Sequence, residues 1–198
     1  MRRSKIDRRS GAPTKIIFLL EEQSAQLLLN SILPRILPSG TPFKCISHQG
    51  HRALQAKIPV HLRKEKNAYY VILHDQDDKN CKKLKSDLLQ ICAQNNRADT
   101  VVCIACRELE AWYWGDLDAV AGVYPKFNPE KIRNKAKFRQ PDNIVKPSKA
   151  LEKTFPEFKK IKTAKEIGKH MDLCNNKSPS FQYFVAAVKK VAGAETHS

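Results

Sequence analysis

Four short apolar runs alternate with amphipathic stretches over the first two-thirds of the chain. Lys15 to Leu20, Phe43 to Ser47, Tyr69 to His74 and Thr100 to Cys106 read as strands. KIIFLL and TVVCIAC are continuously apolar, the pattern of strands covered on both faces. Residues 24–37 place Ala25, Leu28, Leu29, Ile32, Leu33 and Ile36 on one helical stripe, ended by Pro38, Gly40 and Pro42. Residues 51–64 repeat Leu54, Ile58 and Leu62 at helical spacing, with Pro59 as an internal obstacle. A third helix starts after Asp78, a candidate N-cap, and carries Cys81, Leu84, Leu88, Ile91 and Cys92. A fourth is predicted from Glu108 to Val123, with Leu109, Trp112, Leu117 and Val120 inward. Such alternation predicts an α/β domain over residues 15–123, a mainly parallel four-stranded sheet flanked by helices.

After residue 124 the pattern changes. Lysines dominate, prolines recur at 125, 129, 141, 147 and 156, and no strand pattern is visible. Residues 124–198 read as a basic, mostly helical extension that packs on or beside the sheet domain. Its last helix is the clearest: Ser178-Pro179 is a cap followed by proline at the first helical position, and Phe181, Phe184, Val185, Val188 and Val191 follow at helical spacing. Residues 1–14 read as a flexible basic arm.

The formal charge of +16 on 198 residues favours a polyanionic partner, DNA or RNA, held through its phosphates. The excess is uneven. It lies in the arm, including Arg8 and Arg9, and from Lys126 to Lys169, where Lys131, Lys135, Lys137, Lys146 and Lys149 are the foremost candidate backbone contacts. No stretch is long and apolar enough to span a membrane, and no signal-peptide core follows MRRSKIDRRSGAPTK, so a cytoplasmic location with six reduced cysteines is expected. Cys103 and Cys106 form a CxxC inside a strand. Residues three apart there face opposite sides, so a buried apolar role is favoured over a zinc or redox site. GxxxxGK[ST] does not occur, which argues against ATP hydrolysis. Trp112, Tyr113 and Trp114 could stack on bases, but their density in a sheet-facing helix favours the core.

Acidic residues follow three of the four strands: Glu21 and Glu22, then Asp75, Asp77 and Asp78, then Glu108 and Glu110. Ligands of open parallel sheets bind outside the carboxyl ends of the strands. Carboxylates gathered there repel one another unless a cation or a proton intervenes. Mg²⁺ or Mn²⁺ set against a phosphate is the expected cation. Glu21, Asp75, Asp77 and Asp78 are the candidate metal ligands, and Glu21, Asp75, Asp77 and Glu110 the candidate catalytic set. Asp78 is equally open to a capping role, and one of Glu108 and Glu110 to a structural one. His48 is a further candidate acid or base, and His74 a candidate supporting group behind the acids.

The acid after the first strand and the acid-x-acid after a later one resemble the Toprim fold of topoisomerases, primases and OLD-family nuclease domains. The stretches LLEEQSAQLLLNSILPRIL, HDQDDKNCKKLKSDL, IACRELEAWYWGD, YPKFNPEKIRNKAKFRQPDNIVKP and NNKSPSFQYF resemble a bacterial family of small Toprim-like proteins, over nearly all of residues 15–190. The resemblance implies that Glu21 is the Toprim glutamate, that Asp75 and Asp77 are the acid-x-acid pair, and that Glu110 is the acid of the ELEAW stretch. It implies a Mg²⁺- or Mn²⁺-dependent nuclease. It also implies an AAA or SMC-like ATPase partner encoded nearby, as in phage-defence loci. Gln26 stands where OLD-like proteins tend to have a second glutamate, and Glu22 where many Toprim proteins have glycine. One-metal chemistry, or a non-catalytic subunit that regulates an ATPase, therefore stays open beside two-metal cleavage.

Overall fold

Each of the four apolar runs forms a strand, and all four pair in parallel. The computed structural model describes residues 15–193. The basic arm 1–14, with Arg8 and Arg9, lies outside the described residues. The strands are β1 (Ile16–Leu20), β2 (Phe43–Ser47), β3 (Tyr69–Asp75) and β4 (Val101–Ala105), in the order β2-β1-β3-β4. From β1 the chain moves outward to β2, then returns across the sheet to β3 on the other side. The carboxyl ends of β1 and β3 therefore flank the point where connections diverge, the place where open parallel sheets bind their ligands.

Strand parity divides the core into two layers. Ile16, Phe18, Leu20, Val71, Leu73, Cys103 and Ala105 face one side. Ile17, Leu19, Tyr70, Ile72, Val102 and Ile104 face the other, against Leu54, Ile58 and Leu62 of α2 (His51–Lys64) and Leu84, Leu88 and Cys92 of α3 (Cys81–Gln94). The first side carries α1 (Gln23–Ile36), whose predicted stripe is buried along its whole length. Pro59 lies inside α2 without ending it. The N-cap of α3 is Asn80, which accepts from the Lys83 amide at 3.0 Å, and not Asp78.

The predicted helix from Glu108 to Val123 is two helices, α4 (Ala111–Trp114) and α5 (Leu117–Val123). Asp116 caps the second by accepting from the Ala119 amide at 2.9 Å. Asn176 lies against Gly115, where a Cβ would also come within 2.8 Å of the Ser178 amide nitrogen, so this corner excludes any side chain. Trp112, Tyr113 and Trp114 are all in the core, and Trp112 donates to the Ser180 hydroxyl at 2.9 Å.

Beyond residue 124 come α6 (Glu130–Arg133), α7 (Ala136–Arg139), a 3-10 turn (Pro141–Asn143), α8 (Pro147–Thr154), α9 (Lys160–His170) and α10 (Pro179–Val191). Ser178 caps α10 as its sequence predicts, accepting from the Phe181 amide at 3.2 Å. Leu151, Phe155, Ile167, Phe181 and Phe184 join Phe18 and Leu28 in one apolar cluster, so these helices complete the first layer. α9 lies along α1. Arg35 donates to the Gly168 and Met171 carbonyls at 3.0 and 2.8 Å, answering the negative end of α9. Among the described residues, no helix is long and apolar enough to cross a membrane.

Candidate metal centre

The period of two that builds the core also sorts the acids. Glu21 follows β1 on the parity of Ile17 and Leu19, toward α2. Asp75 ends β3 on the parity of Val71 and Leu73, toward α1 and α9. Two acidic pockets therefore sit back to back across the carboxyl edge of the sheet.

On the α2 side, a carboxylate oxygen of Glu21, a ring nitrogen of His51 and a carboxylate oxygen of Asp77 lie within 4.8 Å of one another. Oxygen and nitrogen ligands sit about 2.0–2.2 Å from a small divalent cation. Ligands on opposite sides of one ion are then about 4.2 Å apart, so these three atoms converge on one ion with small side-chain adjustments. His51 is brought here by the β2–α2 turn. The His48 amide donates to the Leu20 carbonyl and the Gly50 amide to the Glu21 carbonyl, each at 3.0 Å, which ties the turn to the end of β1. Gly50 has φ +87°, a conformation that favours glycine, and His51 starts the helix immediately after it.

Asp77 is held by a second brace. Asp77 and Arg107 both adopt positive φ, +52° and +61°. The Asp77 amide donates to the Arg107 carbonyl at 2.7 Å, and the Gln76 amide to the Ala105 carbonyl at 2.9 Å. The Gln76 side chain accepts from the Arg107 amide at 3.3 Å and donates to the Lys79 carbonyl at 2.9 Å. Left-handed backbone at a non-glycine residue costs on the order of 1–2 kcal/mol. Here the interlocked loops after β3 and β4 sustain it at two residues and aim Asp77 at Glu21.

The electrostatics fit a cation. Glu21 is 8% exposed, and burial, with the Asp77 charge next in size, raises its pKa to about 7. Burial also raises Asp77. The Lys79 ammonium is buried without a hydrogen-bond partner, and its charge partly offsets both acids. His74 supports Glu21 from behind. Its Nε2 accepts from the Gln55 amide at 2.9 Å, so Nδ1 carries the proton, 2.6 Å from the Asp75 carbonyl and 3.2 Å from a Glu21 oxygen. Burial lowers the His74 pKa to about 4, which keeps the ring neutral and makes its contact with Glu21 dipolar. The Asp75 amide donates to Glu21 at 3.3 Å, completing the cradle.

On the α9 side, Asp75 is hemmed in by protein yet keeps some solvent access. Burial raises its pKa well above the usual range, and Glu110 and Glu21 add to the effect. Glu110 is fully buried and neither of its oxygens has a hydrogen-bond partner. Burial raises it to about 7, with the Lys160 charge opposing. The Lys160 ammonium lies 2.5 Å from Glu22 and 3.7 Å from Glu110.

Asp78 points to solvent, its side chain 92% exposed and 4.0 Å from Arg107. Glu108 accepts from the Ser148 amide at 2.8 Å in the first turn of α8, the structural role left open for one of the 108/110 pair. His48 is engaged elsewhere, through the Leu20 carbonyl at 2.9 Å and His61 at 3.2 Å. Lys131, Lys135, Lys137, Lys146 and Lys149 are exposed. Lys149 pairs with Glu152, and α8 begins beside Glu108 at the acidic end of the sheet. All six cysteines are free thiols outside the Glu21–His51–Asp77 group, and burial raises Cys103 to about 12 and Cys106 to about 11. Sequence reasoning passed over His51 for His48. The available signal was that His51 opens a helix after the strand next to β1.

The family model for a domain of unknown function, DUF4276, matches residues 20–189. Among solved structures, the C-terminal region of the Xanthomonas campestris pv. campestris OLD protein is similar at a TM-score of 0.50 and 11% identity, over 93% of this chain and 98% of that one. The C-terminal region of the Burkholderia pseudomallei OLD protein gives a TM-score of 0.48 and 14% identity, over 89% and 98%. The first of these likenesses shows a shared α/β fold. No curated protein matches the chain.

Proposed function

We propose, from the premise that the chain belongs to the DUF4276 family, that it is a Toprim-type, divalent-metal-dependent phosphodiesterase acting on nucleic acid. The observation that carries this reading is the convergence of Glu21, His51 and Asp77 at the diverging carboxyl ends of β1 and β3, with Asp75 and Glu110 beside them. Support also comes from the fold shared with an OLD C-terminal region and from the Toprim-like motifs.

Glu21, His51 and Asp77 would hold the cation. Two carboxylates with one imidazole suit Mn²⁺ better than Mg²⁺, which prefers oxygen throughout. A cation bound there would supply Lewis acidity to a phosphate oxygen and would lower the pKa of a bound water. Asp75, at the same strand edge and with its proton affinity raised by burial, is the candidate proton acceptor. His74 fixes the Glu21 carboxylate, and Gln76 fixes the loop that presents Asp77. The exposed lysines of α6, α7 and the start of α8 hold the nucleic-acid backbone without reading its sequence. An ATPase partner and a role in anti-phage defence belong to the same proposal, and they rest on the family resemblance alone.

The test incubates the protein and its Asp75→Ala variant with plasmid DNA, single-stranded DNA and RNA in Mn²⁺, Mg²⁺ or EDTA. Metal-dependent cutting by the wild type, lost in Asp75→Ala with binding retained, is the expected result. Equal behaviour of the two proteins on every substrate would favour a non-catalytic subunit.

A further inference from the structure

The pocket on the α9 side already contains a cation. Glu110, fully buried, has no hydrogen-bond partner for either oxygen, and Lys160 is its ion-pair partner at 3.7 Å. The same ammonium contacts Glu22 at 2.5 Å, and its charge reaches Asp75. A buried carboxyl without hydrogen bonds either keeps its proton or needs a charge beside it, and Lys160 supplies that charge. Burial of Lys160 disfavours its own charge, but Glu110 and Glu22 outweigh this and hold its pKa above the ordinary lysine value.

The position of that ammonium is set by packing far from the acids. Lys160 is the first residue of α9, and α9 is anchored to α1 near its other end. A Cβ on Gly168 would lie 2.7 Å from the Ser31 Cβ, so the two helices touch with only hydrogen between them. The Ser31 hydroxyl donates to the Lys165 carbonyl at 3.3 Å, and Arg35 closes the end of the helix. A helix of 11 residues is about 16 Å long. Anchored at one end, it delivers Lys160 to the acidic edge at the other. Glu22 and Glu110 lie on the opposite side of the strand edge from Glu21, His51 and Asp77.

We propose that the Lys160 ammonium takes the place of a second metal ion at this strand edge, so that the chain binds one divalent cation, at Glu21–His51–Asp77, and supplies the second positive charge itself, at Glu22–Glu110–Asp75. The inference rests on the metal-centre reading above. It turns the departures at Gln26 and Glu22 into one arrangement: Glu22 faces a lysine in place of a metal, and the Gln26 amide donates to the Cys45 carbonyl at 3.1 Å, away from the acids. Loss of the ammonium leaves Glu22, Asp75 and Glu110 without it, three acids that lie farther apart than the Glu21–His51–Asp77 group and close on a divalent cation through side-chain movement.

Isothermal titration calorimetry with Mn²⁺ at pH 7.5, on the full chain without nucleic acid, tests this independently of any catalysis. One ion per chain is expected for the wild type and for Lys160→Arg, and two for Lys160→Met. Two ions on the wild type would overturn the inference while leaving the metal centre standing, a result that needs no variant. One ion on a folded Lys160→Met would overturn it as well. No ion on the wild type would overturn the metal centre and the inference together.

Discussion

Glu21→Gln should make the metal-free protein more stable at pH 8 and no more stable at pH 4. The Glu21 carboxyl has a folded-state pKa of about 7 against 4.5 in the unfolded chain. The folded state therefore binds an extra proton between those values, and stability falls as pH rises through the window, with the full penalty present above pH 7. At about 1.4 kcal/mol per pH unit, the displacement gives roughly 3 kcal/mol, an upper value for one carboxyl among coupled neighbours. Glutamine keeps an oxygen for the Asp75 amide and the His74 ring and removes the charge. For a domain of this size, about 3 kcal/mol is worth about 6–12 °C in melting temperature. Scanning calorimetry of the metal-free protein from pH 4 to pH 8 measures it. Wild type and variant should coincide near pH 4 and diverge by several degrees at pH 8. Saturating Mn²⁺ should close the gap by raising the wild type alone, since a ligand at a hundredfold excess over its Kd contributes about 2.7 kcal/mol. A variant that melts below the wild type at pH 8 in EDTA, or gains as much from Mn²⁺, would refute the reasoning.

Other substitutions separate the roles of neighbouring groups. His51→Ala should weaken Mn²⁺ binding at least tenfold by calorimetry and narrow the preference for Mn²⁺ over Mg²⁺, because it removes the one nitrogen ligand. Asp77→Ala should abolish metal binding, whereas Asp78→Ala, at a solvent-facing position, should leave the affinity within twofold. Gly168→Ala gains about 1 kcal/mol of helix propensity, but the new Cβ meets the Ser31 Cβ at 2.7 Å and the Leu28 carbonyl at 3.2 Å. Overpacking of about 1–3 kcal/mol should win, and thermal denaturation should show a lower midpoint. Lys146→Ala with Lys149→Ala should weaken binding to all nucleic-acid sequences alike and reduce the slope of log K against log salt by about one per lost phosphate contact, read by fluorescence anisotropy.

Period and composition carried much of this fold. The four strands, the stripe of α1, the start of α10 and the gathering of acids at strand ends could all be read from local patterns. The split of those acids into two pockets was also available, since Glu21 and Asp75 fall on opposite strand parities. The break at Gly115 was less accessible, because what excludes a side chain there is Asn176, some sixty positions away in the chain. Asp78 lost the capping role to Asn80, two residues on, where both are chemically suited to it. Lys160 looked like one lysine among many in a basic stretch. The contacts that bring it to the acidic edge, Gly168 against Ser31 and the ammonium against Glu22 and Glu110, join distant parts of the chain, and no local pattern encodes them.

In the proposed function, hydrolysis belongs to a cation that Glu21, His51 and Asp77 would hold. The most direct measurement titrates Mn²⁺ into the protein with a labelled nucleic acid and reads metal occupancy and single-turnover cleavage in the same samples. Cleavage that rises in proportion to occupancy, with both lost in Asp77→Ala, is the predicted result. Full occupancy without cleavage of DNA or RNA, or cleavage that persists in EDTA, would contradict it.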